Sequence, residues 1–152
     1  MNYIAKKYIQ PTRGGVRFET IRNDCVIRAM ANATGIDYMA IERFAIEKCD
    51  YKRNGTGMHL PGIVRISEWC GMKLTHIVGT TNAANSFKHL TMYKRDEIEY
   101  IAGRTIENVL PMLKNGRYAV HIRVHIFAVI DGNIIDTGYM SKNQRVTAIF
   151  KF

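Results

Sequence analysis

The chain has few cysteines and no long apolar run, and each shortage narrows what it can be. Its three cysteines, Cys25, Cys49 and Cys70, include no CxxC pair. An odd count without such pairs argues against a disulfide framework and against a four-ligand zinc site. Reduced thiols and a cytosolic setting fit best. No stretch approaches the roughly 20 apolar residues of a membrane span. The opening MNYIAKKYIQ carries charge but no apolar core of signal-peptide length. The expectation is therefore a cytoplasmic protein with no membrane contact. Glycine-rich phosphate cradles are also missing, because Gly55-Thr56-Gly57 lacks the Lys-Ser/Thr that would complete one. No cofactor and no metal are expected.

What is present is an ordinary globular composition, 47% hydrophobic and 23% charged over 152 residues. That length suits one domain spanning residues 1–152, with a core large enough to need no staple. The net charge is +9. The basic residues are scattered, and their densest groupings are the pairs Lys6-Lys7, Lys52-Arg53 and Lys94-Arg95. A solvated basic surface is the plain reading, with attraction of an acidic substrate or partner beside it.

Hydrophobic spacing predicts helices first and strands last. Val26, Ile27, Ala29, Met30 and Ala33 recur at helical intervals from about Asp24 to Thr34, with Asn23 or Asp24 able to cap the start and Gly35 the end. A second helix is predicted from Asp37 to about Cys49, with Ile36 stapled on Ile41 and a stripe of Ile41, Phe44 and Ala45. A third starts at Pro61 and stops before Gly71, and Lys73–Val78 reads as a strand. Residues 1–20, with Pro11 and Gly14-Gly15, read as a short strand and a loop. Residues 79–102 mix loop, strand and helix signals, and Asp96-Glu97-Ile98-Glu99 reads as a solvated helix face. Thr105 should cap a helix reaching about Lys114, kinked or shortened by Pro111. From Arg117 the pattern turns to strands, with His121 and His125 on one strand face. Ile126–Ile130 reads as buried on both sides, Asp131-Gly132-Asn133 as a hairpin turn, and Arg145–Phe152 as a last strand. The predicted class is α+β, with N-terminal helices packed on a C-terminal antiparallel sheet.

Three residues in these settings carry chemistry. Cys25 opens the first helix, where unpaired amides and the helix dipole favour an anion and thus a thiolate. His125 stands at a strand start, where a base can be held rigidly. Asp136 can orient that imidazole. With a four-residue loop Ile130-Asp131-Gly132-Asn133, Phe127 opposes Asp136 and His125 lies diagonally on the same face, whereas a three-residue loop would separate them. Read alone, each has a plainer meaning: a buried thiol, a half-buried histidine and the start of a turn. His121 with His125 as a metal pair has no carboxylate at a convincing spacing. His59 and His76 lack an evident partner, and Cys49 and Cys70 belong to apolar helix stretches.

The stretch Asn23-Asp24-Cys25-Val26-Ile27-Arg28-Ala29-Met30-Ala31, followed by Ala33-Thr34-Gly35-Ile36-Asp37-Tyr38, resembles the nucleophile helix of small papain-like cysteine peptidases, particularly C39-like and phage-encoded members. Gly116–Val120, then His125–Gly132, then Ile134-Ile135-Asp136-Thr137 is similar to that family's strand, His, apolar strand, hairpin and Asp. The resemblance covers roughly residues 20–45 and 103–140. It implies a papain-like fold and a Cys25–His125–Asp136 triad acting on a peptide or isopeptide bond. The residue before the family's His is often Gly and is Val124 here. The family's oxyanion-binding Gln lies a few residues before the Cys, where this chain has Glu19, Thr20 and Asn23. A carboxylate would repel an oxyanion, so Glu19 is a poor substitute; Asn23 is the candidate donor, and its place beside the helix start suits a cap as well.

Two other classes remain open. A non-enzymatic binding module on the same fold, engaging a host protein, would not need the thiol. A nucleic-acid binder would use the basic surface and lose affinity steeply with salt, but no recognised binding motif or basic stripe supports it.

Overall fold

The computed structural model describes residues 2–4, 23–79, 98–123, 125–136 and 139–152. The loop expected near Pro11, most of 79–102, and the acidic pair Asp96-Glu97 lie outside these residues. Three helices come first: α1 (Cys25–Thr34), α2 (Tyr38–Lys48) and α3 (Leu60–Trp69). A strand β1 (Asn2–Ile4) precedes them and pairs with β7 (Tyr139–Ser141) in a two-stranded ribbon. The other six strands are β2 (Lys73–Val78), β3 (Glu99–Ile101), β4 (Arg117–Ile122), β5 (His125–Ile130), β6 (Asn133–Ile135) and β8 (Val146–Lys151). They form one sheet in the order β3-β2-β8-β4-β5-β6. A fourth helix, α4 (Ile106–Val109), continues as a 3₁₀ turn over Leu110–Leu113.

The helix ends follow local chemistry. Asp37 caps α2 with its side chain, accepting from the Ala40 amide at 3.2 Å. Gly35 closes α1 at φ 78°, a left-handed conformation that a Cβ would strain, and its amide returns to the Ala31 carbonyl. Asp24 sits at the α1 N-cap without capping through its side chain, since its carboxylate is engaged elsewhere. Thr105 caps α4 through the Asn108 amide. The expected helix to Lys114 is cut to four α residues, because Pro111 has no amide to continue the ladder.

Alternation along the central strands builds two cores. Ala119, Ile126, Ala128, Ala148 and Phe150 face one side with Ile27, Met30 and Ala33 of α1. The alanines on helix and sheet let α1 lie close against β5 and β4. Val120, Ile122, Phe127, Val129 and Ile149 face the other side with Ile106, Val109 and Leu113. Burial on both faces explains the unbroken apolar run Ile126–Ile130. Each fully buried Ile, Val or Phe contributes about 1.5–3 kcal/mol of apolar burial.

Three expectations need correction. The sheet is mixed rather than antiparallel throughout, because β2 and β3 run parallel. Glu99 belongs to β3 and not to a helix face. His121 and His125 lie on adjacent strands, β4 and β5, paired antiparallel with Ile122 opposite His125. The chain reverses between them without glycine, proline, asparagine or aspartate. Among the described residues, no helix is long and apolar enough to cross a membrane.

Candidate active site

The site is assembled from three chain segments that the fold brings to one end of the sheet. Cys25 is the first residue of α1 and is half-buried. The first-turn amides of a helix have no partner within the helix, so the sulfur sits where negative charge is favoured. His125 is the first residue of β5. Asp136 directly follows β6 and is only 5% exposed.

The β5–β6 hairpin fixes how the last two meet. Ile130 pairs with Asn133 across Asp131 and Gly132, both at positive φ (49° and 82°), as a two-residue turn of right-twisted strands requires. The register Ala128↔Ile135 then puts Asp136 level with Phe127, one diagonal step from His125. Asp136 Oδ2 lies 2.5 Å from His125 Nε2. An ionised carboxylate only accepts, so Nε2 carries a proton and Nδ1 is the ring nitrogen that Asp136 leaves unused, while Cys25 interacts electrostatically with the imidazole. Burial opposes a charge on His125, but the hydrogen bond to Asp136, the interaction with Cys25 and the negative charge of both outweigh it and raise its pKa to about 9.

A second layer supports the carboxylate. Arg28, one turn along α1 from Cys25, donates from Nη1 to Asp136 Oδ1 at 2.9 Å and from Nε to Asp24 Oδ1 at 2.9 Å. The buried Tyr38 hydroxyl of α2 donates to Asp24 Oδ2 at 2.8 Å. Arg28 belongs to no motif that marks it for this role. Its signal was the Asp24–Arg28 spacing, which places opposite charges one helical turn apart.

Asn23 adopts a left-handed conformation at φ 57°, and its Nδ2 donates to the Gly55 carbonyl at 2.6 Å. This bond ties the loop of residues 54–57 to the head of α1. One proton of the amide group remains for other use. Glu19, Thr20 and Val124 lie outside the described residues. A cleft of about 370 Å³ opens in front of the sulfur, walled by Asn23, Cys25, His125, Met58, Leu60 and Ile63.

The remaining candidates take other places. His121 is buried, and its Nδ1 meets the Thr147 hydroxyl, which itself donates to the His121 carbonyl at 2.9 Å. Burial and then repulsion from His125 lower its pKa to about 4, so its ring is neutral. Among the described residues, no group of three or more His, Cys, Asp or Glu side chains could hold a metal ion. His59 precedes α3 on the cleft wall, and His76 meets Glu99 at 3.2 Å. Cys49 and Cys70 are core thiols at the ends of α2 and α3. Burial raises both, Cys70 to about 12 with a further contribution from Cys49, while Arg65 partly offsets the rise at Cys49. Of the basic pair Lys52-Arg53, Arg53 is committed to Glu42. No protein-family model, curated protein or solved structure matches the chain.

Proposed function

We propose that this chain is a cysteine-dependent hydrolase of papain-like arrangement, acting on a peptide or isopeptide bond. The observation that carries the reading is the His125–Asp136 hydrogen bond beside Cys25, which interacts electrostatically with the same imidazole and lines the same cleft, with the sulfur at a helix head and the imidazole at a strand start. The chain order Cys, His, Asp and the helix-against-sheet setting support a papain-like fold.

The thiol proton passes to His125 Nδ1, and Asp136 stabilises the imidazolium through Nε2–H. The sulfur attacks the substrate carbonyl, forming a C–S bond and an oxyanion. The Cys25 amide at the head of α1 and the spare proton of the Asn23 amide are the donors for that oxygen. His125 then returns its proton to the leaving amine as the C–N bond breaks, leaving a thioester. Water, deprotonated by His125, attacks the thioester and releases an acid and the free thiol. An amine or alcohol acceptor in place of water would complete acyl transfer by the same steps.

A peptide substrate library read by mass spectrometry tests the proposal. New termini should appear with the wild type and vanish with Cys25→Ala and with His125→Ala. Cleavage that persists in Cys25→Ala would refute it. One observation favours a second reading, a catalytically weak or inactive binding module: the Asn23 amide is already turned onto Gly55. That reading predicts that Cys25→Ala leaves partner capture unchanged.

A further inference from the structure

Arg28 has no part in the proton transfers above, yet its guanidinium is hydrogen-bonded to the Asp136 carboxylate that faces the catalytic imidazole. It bridges two buried carboxylates, Asp136 at 5% and Asp24 at 3% exposure. Tyr38 and the Arg28 Nε–H hold the two oxygens of Asp24, so the fork is fixed from behind. Arg28 takes Oδ1 of Asp136, which turns Oδ2 toward His125.

Resting on the thiol-hydrolase reading, we propose that Arg28 is a positioning residue that acts on His125 through Asp136, orienting the carboxylate and carrying part of its charge. A buried carboxylate facing His125 alone would hold the imidazolium proton tightly, since losing it would strand an uncompensated anion. A guanidinium on the far oxygen compensates that anion in both protonation states. The ring then remains able to release its proton to a leaving group and to accept one from water.

Among the described residues, the groups that face His125 come from several elements. α1 supplies Cys25, with Arg28 and Asp24 behind Asp136. The segment after β6 supplies Asp136 itself, and β4 supplies the neutral His121. Arg123 of the β4–β5 turn and His59 ahead of α3 line the same cleft.

Side-chain NMR of His125 in the intact protein, together with the rate at which iodoacetamide alkylates Cys25, tests the proposal without needing a substrate. Arg28→Met should raise the His125 titration midpoint by on the order of one unit. In an Asp136→Asn background the same change should leave the midpoint where Asp136→Asn alone puts it. Arg28→Lys keeps the charge but cannot span both carboxylates. It should restore the midpoint while alkylation stays slower than wild type by about tenfold. An unchanged midpoint in folded Arg28→Met, or an equal shift in the Asp136→Asn background, overturns the proposal. So does an Arg28→Lys protein identical to wild type in both readouts, and this variant decides the matter if Arg28→Met does not fold. A wild-type protein that cleaves nothing would overturn the hydrolase reading and leave the NMR result standing.

Discussion

Replacing Asp136 by Asn removes the carboxylate charge that faces His125 while keeping the shape of the side chain. His125 is 28% exposed at its side chain, and its pKa stands at about 9 against an ordinary 6.5, with burial pulling the other way. That difference corresponds to about 3 kcal/mol in favour of the imidazolium, shared between Asp136 and Cys25. His121 indicates what burial and a nearby positive charge do to a ring on the same sheet, since its pKa falls to about 4. The amide introduced by Asp136→Asn cannot supply the charge, so the His125 midpoint should fall by on the order of two units. Two-dimensional NMR of the ring protons between pH 5 and pH 10 reads this directly. The folded pKa of His125 lies above its unfolded value. Its stabilisation is therefore complete below pH 6.5 and is lost as pH rises through about 9. Wild-type stability in urea should thus decline by up to about 3 kcal/mol across that window, and the decline should largely disappear in Asp136→Asn. At neutral pH the variant should also be less stable by about 3 kcal/mol, because Arg28 loses a buried charged partner. A midpoint that stays near 9 in the variant would refute the reasoning, since the raised value would then come from elsewhere.

Other consequences follow from the same geometry. Asn23→Ala should lower turnover by about tenfold to a hundredfold while leaving iodoacetamide alkylation of Cys25 unchanged, because alkylation develops no oxyanion; equal loss in both assays would assign Asn23 to holding the loop of residues 54–57. A thiol reagent at pH 8 should titrate one cysteine in the native protein and three in guanidinium, since Cys49 and Cys70 are buried with raised pKa values. Asp37→Ala should cost about 1 kcal/mol in urea unfolding through the lost Ala40 cap.

Much of the site's local geometry was legible in the sequence because local chemistry dictates it. Asp37 and Gly35 announce helix ends by side-chain and backbone preferences that operate within a few residues. Asp131-Gly132-Asn133 announces a hairpin turn but leaves two loop lengths open; the observed pairing of Ile130 with Asn133 selects the register in which Phe127 opposes Asp136. The β4–β5 reversal was not legible. Arg123 and Val124 carry no turn chemistry, and the apolar alternation runs through them, so only pairing across the sheet ends β4 at Ile122. The parallel β2–β3 pair was equally hidden, because a three-residue strand is defined by the strand it meets. The role of Arg28 is hidden for a related reason. Its contact with Asp136 spans 108 positions, and no spacing rule reaches that far.

The central claim is that the Cys25 sulfur owes its chemistry to the imidazole of His125. The most direct test compares the second-order rate of Cys25 alkylation by iodoacetamide at pH 7 in the wild type and in His125→Ala, with the modified peptide identified by mass spectrometry. The rate should fall by at least about tenfold, because a base no longer takes the thiol proton. Equal rates in the two proteins, with folding preserved, would contradict it.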